Sequence, residues 1–120
     1  MYKDRVDLTD LDFCTIDPVD AKDFDDAVYF DSKNRTLYVA IADVSEYVAP
    51  YSAIDKEAKF RGFSIYFPHK SVPMLPRNLS ENICSLKPNL DRLAFCFKIT
   101  LDENFSAIKE ELFKAIISSK

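Results

Sequence analysis

The chain has 120 residues, of which 48% are hydrophobic, 13% aromatic and 30% charged, a balance that fits one globular domain and excludes intrinsic disorder. No apolar run approaches the roughly 18 to 20 residues of a membrane span, and the first residues lack the apolar segment of a secretory signal, so no membrane contact is expected. The net charge of −4, taken alone, disfavours nucleic acid as a partner.

The first predicted elements surround a loop rich in acidic residues. A short strand over residues 13–16 leads to Pro18, and proline disfavours helix in the residue before it. Residues 18–25 lack any apolar period, which is typical of a loop. Strands over 27–30 and 36–42, joined by turn residues, predict a β-hairpin.

A helix is predicted over residues 52–61, with Ser52 as its N-cap, Asp55 in a capping-box-like position, and Gly62 in the left-handed conformation that ends many helices. The remaining predicted elements are, in chain order, a strand over 63–67, an extended loop with three prolines, a short helix over 78–86, a strand over 92–101 with one strongly apolar face, and a strand over 112–117. The predicted fold class is α+β, with a mixed, mostly antiparallel sheet and one or two short helices. The abrupt end after the last strand predicts that these residues are a fragment of a larger domain.

Cysteine and histidine usage bears on compartment and on metal sites. The three cysteines, Cys14, Cys84 and Cys96, are widely spaced and form no CxxC motif. This pattern favours a reducing compartment, and hence a cytoplasmic protein, with the thiols buried as small apolar groups. The single histidine, His69, is expected to be a surface or hydrogen-bonded residue rather than a metal ligand.

Charge is distributed unevenly along the chain. Residues 1–55 hold 13 acidic and 5 basic residues, whereas residues 56–98 hold 3 acidic and 8 basic ones. A polyanion lying on the basic segment and facing a cation-loaded acidic cluster would suit this distribution. Two solvated surfaces without any partner would suit it equally well.

Five aspartates fall within ten residues of the acidic loop, at positions 17, 20, 23, 25 and 26. Clustered carboxylates repel one another unless a cation compensates or several stay solvated. Mg²⁺ takes oxygen ligands, typically one or two carboxylates, and gains further ligands from water and substrate phosphate. Two such ions roughly 3.5–4 Å apart can activate water and stabilise the leaving oxygen in phosphodiester hydrolysis. On an extended stretch Asp23 and Asp25 would face one side and Asp26 the other, unless a bend re-aims one of them.

Three other interpretations of this cluster stay open when only the residues are considered. One is a Ca²⁺ site, although no frame fits the EF-hand loop with its glycine and glutamate positions. Another is a turn and capping role, since aspartate is common in loops. The third is a solvated acidic surface.

Several ordered motifs resemble one enzyme family. The segment Thr15-Ile16-Asp17-Pro18, with Ala21, Asp23 and Asp25-Asp26-Ala27, resembles the first signature of the ribonuclease II/R exoribonuclease family. Further matching segments follow in the family's order across nearly the whole chain: Val39-Ala40-Ile41-Ala42-Asp43-Val44-Ser45, Tyr47-Val48, Asp55, Glu57-Ala58, Arg61-Gly62, Ser64, Tyr66, Val72-Pro73-Met74-Leu75-Pro76, Leu79-Ser80, Cys84-Ser85-Leu86, Pro88 and Asp91-Arg92.

This resemblance implies the N-terminal portion of an RNB-type catalytic domain over residues 1–120, without the cold-shock and S1 domains that flank it in the family. It implies hydrolysis of single-stranded RNA from the 3′ end to nucleoside 5′-monophosphates, using one or two Mg²⁺ ions, or Mn²⁺ in their place. Asp17, Asp23, Asp25 and Asp26 correspond to the four catalytic aspartates. Asp17 and Asp26 are expected as direct metal ligands, and Asp25 as the residue that orients metal-bound water.

Other site residues also follow from the resemblance or from charge. Tyr66 corresponds to an aromatic residue near the terminal nucleotide, where it would stack on the base, although packing within a strand is the plainer alternative. Arg77, Arg92 and Lys87 are candidates for phosphate contacts, each with a surface charge as its alternative. Asp43, at the end of an apolar strand, is expected to order the backbone.

The departures from the family limit the expected activity. The family's downstream segment, whose arginine helps to stabilise the transition state, has no counterpart in these residues, so we expect the chain alone to be inactive or nearly so. Two other functions stay open: a non-catalytic module that binds RNA or a protein partner, and a Ca²⁺-dependent structural domain.

Overall fold

A computed structural model describes residues 4–120 as a twisted sheet flanked by a helix, short turns and loops. Its strands are β1 (Val6–Asp7), β2 (Asp26–Asp31), β3 (Thr36–Ala42), β4 (Ile65–Phe67), β5 (Lys70–Val72), β6 (Asp91–Leu101) and β7 (Ala107–Ser118). Five of them form one sheet in the order β1-β7-β6-β3-β2, and β4 pairs with β5 in a separate hairpin. All pairings are antiparallel except that of β1 with β7, so the predicted fold class is confirmed.

The α-helix α1 (Ala53–Arg61) begins and ends as the sequence predicts. The Ser52 side chain accepts a hydrogen bond of 3.2 Å from the backbone N–H of Asp55. The Asp55 carboxylate accepts from the backbone N–H of Tyr51 at 2.7 Å, one residue earlier than in a standard capping box. Gly62 ends the helix with a φ of 77°, a conformation that side chains with a Cβ disfavour.

The core lies against the face of the sheet that carries small side chains. Ala27, Ala40 and Cys96 are neighbours across β2, β3 and β6, and all are almost fully buried. Their small size leaves room for the Phe13 ring, which is 0% exposed and lies 6.0 Å from the Tyr29 ring between centroids. The segment before β2 is therefore fixed beneath the sheet before the acidic loop begins.

The opposite face of β6 holds the large alternating side chains that the sequence singled out. Although this face is apolar, Phe97 on β6 is 44% exposed, and its cross-strand neighbour Leu112 on β7 is 58% exposed. Side-chain size in the sequence therefore did not identify the buried face, because packing under the sheet selects small residues.

Four predicted elements differ from the structure. The strand expected over 13–16 is reduced to isolated bridges at Phe13 and Cys14, because these two residues pair with different parts of the chain. The strand expected over 63–67 keeps only its last three residues, and the extended loop after it contains β5. The short helix expected over 78–86 is a single π-helical turn, Leu79–Ile83.

Asp43 follows β3 and is buried beside two cations. Its carboxylate accepts hydrogen bonds from Arg5 at 2.5 Å and from the Ser45 hydroxyl at 2.6 Å, and lies 3.8 Å from the Lys114 ammonium. Arg5 also pairs with Glu46 at 2.7 Å. Asp43 was expected to order the backbone, but its carboxylate is bonded by the side chains of Arg5 and Ser45. This carboxylate is not part of the acidic loop.

Cysteine burial follows the prediction only in part. Cys84 and Cys96 are buried, whereas Cys14 is exposed, because its neighbour Phe13 occupies the inward-facing position and successive side chains of an extended backbone point to opposite sides. All three thiols are free. Within residues 4–120, no helix has the length and apolarity needed to cross a membrane.

Candidate active site

The acidic loop is attached to the sheet by backbone hydrogen bonds at its C-terminal end. The carbonyl oxygen of Asp25 accepts from the backbone N–H of Ala42 at 2.9 Å, and that of Phe24 accepts from the backbone N–H of Leu86 at 2.9 Å. Leu86 is 1% exposed, so the second anchor lies in the core. The carboxylates of the loop thus project from a backbone that is held between β3 and the 84–86 segment.

A cleft of about 570 Å³ opens beside this loop. Asp17, Asp23 and Asp25 line it, together with residues from the β4–β5 hairpin and from the segment after it. Asp26, the first residue of β2, is exposed and does not line the cleft. Asp23 and Asp25 thus share the cleft, as the alternation predicts, and Asp26 lies beside it at the start of β2.

The surroundings of Asp25 change the pKa of its carboxyl group. Desolvation raises its pKa above the ordinary value of 3.8, and the negative charges of Asp23, Asp26 and Asp17 raise it further, in that order. The four carboxylates are thus close enough to repel one another through Asp25. A cation bound among them would relieve that repulsion.

Tyr66 connects the β4–β5 hairpin to the acidic loop. Its hydroxyl donates a hydrogen bond of 3.0 Å to the Asp23 carboxylate, and this bond is the largest cause of its raised pKa. The ring itself is 69% exposed and lines the cleft. The Tyr66 ring therefore lies in β4 but is mostly exposed on the cleft instead of packed within the hairpin.

The predicted phosphate-binding arginines differ in position. Arg77 lines the cleft, where it pairs with Glu81 and donates to the backbone oxygen of Ser71 at 2.6 Å. Arg92 lies outside the cleft lining, and its Nε donates to the backbone oxygen of Ser85 at 2.9 Å. The structure thus brings Arg77 to the acidic loop and uses Arg92 to hold the 84–86 segment.

Among the cleft residues that were not predicted as site residues are His69, Lys70 and Ser64. His69 and Lys70 come from the turn and strand of a hairpin that the sequence pattern did not reveal. The uneven charge distribution was the available signal, since it placed a basic segment after the acidic one. The cleft lining combines residues of both segments, as a facing arrangement requires.

The donor set fits a hard divalent cation, but the carboxylates do not form a closed cage. Within residues 4–120, no group of three or more His, Cys, Asp or Glu side chains converges as a preformed metal site. Mg²⁺ typically takes only one or two carboxylates directly and keeps several waters. The exposed carboxylates of Asp17, Asp25 and Asp26 and the half-buried one of Asp23 are therefore suitable for Mg²⁺ and offer no preformed site for an ion that needs many protein ligands.

Comparison with known proteins connects this cleft to one family. The RNB domain matches residues 5–120. Ribonuclease R of Mycoplasmopsis pulmonis is 52% identical over 122 aligned positions, which cover 99% of this chain and 17% of that protein. The chain belongs to the RNB domain family.

Solved structures agree with this RNB assignment. RNase R of Mycoplasma genitalium in complex with double-stranded RNA matches 99% of this chain and 22% of its own chain, with a TM-score of 0.93 at 45% identity. The same enzyme in complex with ribose-methylated single-stranded RNA matches with a TM-score of 0.92, over 98% of this chain and 19% of that one. The resemblance to the ribonuclease II/R family drawn from the motifs is thereby confirmed.

The match covers only a small part of each relative. This RNB segment spans between 14% and 17% of the length of the curated Ribonuclease R proteins that it matches.

Proposed function

We propose that this chain supplies the Mg²⁺-binding aspartates of a hydrolytic 3′→5′ exoribonuclease that degrades single-stranded RNA to nucleoside 5′-monophosphates. The observation that carries the proposal is the shared cleft, in which Asp17, Asp23 and Asp25 lie beside the exposed ring of Tyr66 and the guanidinium of Arg77. The family assignment supports the same reading, since the relatives are Ribonuclease R proteins.

Asp17 and Asp26 are the proposed direct ligands of the cation, with Asp23 and Asp25 beside them. Because Asp26 lies outside the cleft lining at the start of β2, the cation would lie at the edge of the cleft, between Asp17 and β2. Their carboxylate oxygens suit Mg²⁺, or Mn²⁺ in its place. When bound, the metal supplies an activated water and neutralises charge on the leaving oxygen of a phosphodiester. The electrostatic argument rests on Asp25, whose pKa is raised by burial and by its three acidic neighbours. A divalent cation is the simplest group that makes this arrangement favourable.

Asp25 has the proposed role of orienting the attacking water. Its backbone is fixed by the hydrogen bond from Ala42 to its carbonyl oxygen, while its side chain stays exposed on the cleft. A carboxylate held in this way accepts a hydrogen bond from a water without moving the chain. The neighbouring carboxylate of Asp23 is held by a hydrogen bond from the Tyr66 hydroxyl.

The other side chains of the cleft suit an RNA end. Tyr66 offers an exposed ring for stacking on a base, and base–aromatic stacking contributes roughly 1–3 kcal/mol. Lys70 and Arg77 offer positive charge for phosphate oxygens. RNase R of M. genitalium, which has the same fold over these residues, is in complex with RNA in both matching structures, and this supports RNA as the ligand.

The proposal also includes inactivity, or near inactivity, of the 120 residues by themselves. The net charge of −4 repels a phosphate backbone rather than attracting it. The charge of Arg77 is partly compensated by Glu81, which leaves less of it for the charge that develops on a reacting phosphate. Stabilisation of the transition-state charge would then have to come from residues other than these.

The test uses a chimera in which residues 5–120 replace the matching segment of M. genitalium RNase R. The substrate is single-stranded RNA labelled at its 5′ end, so that cleavage from the 3′ end gives progressively shorter labelled products. We expect hydrolysis with Mg²⁺, none with a chelator, and release of nucleoside 5′-monophosphates. Asp25→Asn should reduce the rate by about 100-fold or more, which is typical of losing a group that acts electrostatically on the reaction.

Asp20→Asn is the matched control, since Asp20 lines the same cleft and has no proposed role. It should leave the rate within about twofold of the unmodified chimera. Full activity of Asp25→Asn would contradict its proposed role, and equal losses in both variants would contradict the assignment of residues. A chimera that binds RNA without cleaving it would favour the non-catalytic binding module. Rapid hydrolysis by the isolated chain would overturn only the proposed inactivity.

A further inference from the structure

Ser85 lies beneath the acidic loop and is 1% exposed. Its hydroxyl donates a hydrogen bond of 2.8 Å to the backbone oxygen of Lys22 and accepts one of 3.0 Å from the backbone N–H of Phe24. A serine hydroxyl has one proton to donate and two lone pairs, so both bonds form at once. The two bonded residues are the immediate neighbours of Asp23 in the sequence.

The segment around Ser85 is rigid enough to act as a support. Cys84 is 5% exposed and Leu86 is 1% exposed, so the serine lies between buried neighbours. The backbone oxygen of Ser85 accepts a hydrogen bond from the side chain of Arg92 on β6. The segment is therefore tied to the long strand β6.

Near Asp23, the backbone of the acidic loop makes few other hydrogen bonds to the rest of the described structure. In the described part of the chain, the backbone bonds of residues 18–25 to other segments are those from Ala42 to Asp25 and from Leu86 to Phe24. Both lie after Asp23. The bond from Ser85 to Lys22 is the connection on the other side, so Ser85 fixes the backbone before and after this aspartate.

We propose that Ser85 is a positioning residue for the cation site: through Lys22 and Phe24 it fixes the direction in which the Asp23 carboxylate meets those of Asp17 and Asp25. The claim that Ser85 serves a cation site rests on the proposed function. The hydroxyl itself touches neither substrate nor metal. Groups that hold metal ligands in this way typically change metal affinity by roughly 10–100-fold when they are removed.

A purely structural serine would give different results from a positioning one. Ser119 provides the comparison within the same chain, because it is 2% exposed and its hydroxyl also bonds a backbone oxygen, but that oxygen belongs to Leu86 rather than to the acidic loop. Ser85→Ala and Ser119→Ala remove the same atom from equally buried sites. Ser85→Cys, which nearly keeps the volume but bonds weakly, serves if Ser85→Ala does not fold.

The experiment measures two properties of each variant in the complete chain. The first is amide hydrogen exchange over residues 22–26 by NMR without metal. The second is Mn²⁺ affinity by calorimetry. We expect Ser85→Ala to speed exchange of the Phe24 amide by about threefold to tenfold, as loss of one hydrogen bond implies. We also expect it to weaken Mn²⁺ binding by about tenfold or more.

Ser119→Ala should change neither property by more than about twofold, even if it lowers the melting temperature as much. Unchanged exchange at Phe24 in the Ser85 variants would overturn the inference. So would equal loss of Mn²⁺ affinity in the Ser85 and Ser119 variants. If the unmodified chain binds no divalent cation, the proposed function loses its support, while exchange alone still decides whether Ser85 positions the loop.

Discussion

The Tyr66 hydroxyl donates a hydrogen bond of 3.0 Å to the carboxylate of Asp23, a residue 43 positions earlier in the chain. The bond joins the β4–β5 hairpin to the acidic loop, and both residues line the cleft. Tyr66 stays mostly exposed while it makes this bond. The same side chain can therefore orient a carboxylate and stack on a base at the same time. This pairing makes the two proposed roles of Tyr66 separable by substitution.

Tyr66→Ala in the chimera should weaken binding of a short single-stranded RNA by about 1–3 kcal/mol, because a stacking ring is lost. Tyr66→Phe keeps the ring and should retain most of the affinity. Fluorescence anisotropy at one fixed salt concentration measures both. Tyr51→Ala is the control, since Tyr51 is 79% exposed but lies outside the cleft lining. Equal affinities for all three variants would remove Tyr66 from the RNA site.

The pH dependence of stability should carry the sign of the Asp25 shift. Because the pKa of this carboxyl is raised on folding, its proton is held more tightly in the folded chain. The free energy of unfolding therefore falls as pH rises from the ordinary pKa of 3.8 through the raised pKa, and the loss persists above it. Asp25→Asn should consequently raise the urea midpoint at about pH 7 without metal, and this gain should shrink as pH approaches about 4.

Asp31→Asn provides the control of opposite sign for that measurement. Hydrogen bonds from the side chain and backbone of Asn34 lower the pKa of Asp31, so its stabilisation is present above the ordinary pKa and lost as pH falls through the lowered one. This variant should lower the urea midpoint at about pH 7. A midpoint that falls in Asp25→Asn as well would contradict the repulsion assigned to the aspartates.

Asp43→Asn should destabilise the chain by about 3 kcal/mol, since it removes the charge facing a nearly buried Arg5. Burial raises the pKa of Asp43, but hydrogen bonds from Ser45 and Arg5 and the charges of Arg5 and Lys114 lower it overall. Glu46→Gln changes a more exposed partner of the same arginine and should have a clearly smaller effect. Urea denaturation measures the free energy of unfolding of both variants. Equal losses in the two variants would contradict the buried pairing of Asp43 with Arg5.

Thiol reactivity should follow burial. Desolvation raises the pKa of Cys96 to about 11, and burial also raises that of Cys84. Iodoacetamide at about pH 8 should therefore label Cys14 alone in the folded chain and all three thiols after denaturation. Mass spectrometry of the labelled peptides gives the result directly. Rapid labelling of Cys96 without denaturant would show that the inner face of the sheet opens.

Much of the fold was predictable because local patterns and tertiary packing agree. Alternation and turn residues predicted the β2–β3 hairpin, and the capping residues predicted α1 to within one residue. β5 was missed because it has only three residues and is flanked by Pro68 and Pro73, which normally interrupt strands. Local patterns also could not show that β1 pairs with β7, which lies at the other end of the chain.

The candidate site was predictable in its acidic part and less so in its surroundings. The spacing of Asp23 and Asp25 predicted that their side chains face the same side, and both residues line the cleft. Arg92 and Ser85 show what spacing does not reveal, since their contacts depend on how distant segments pack together. Nothing in the local sequence around Ser85 indicates hydrogen bonds to residues more than sixty positions earlier.

The central claim is that the four aspartates bind a divalent cation. A Mg²⁺ titration of the chain at about pH 7, followed by NMR of the backbone amides, tests it most directly. We predict saturable shifts at Asp17, Asp23, Asp25 and Asp26, weakened by about tenfold or more in Asp25→Asn and retained in Asp20→Asn. Absence of any saturable response, or shifts confined to acidic residues outside the cleft such as Asp102, would contradict the claim.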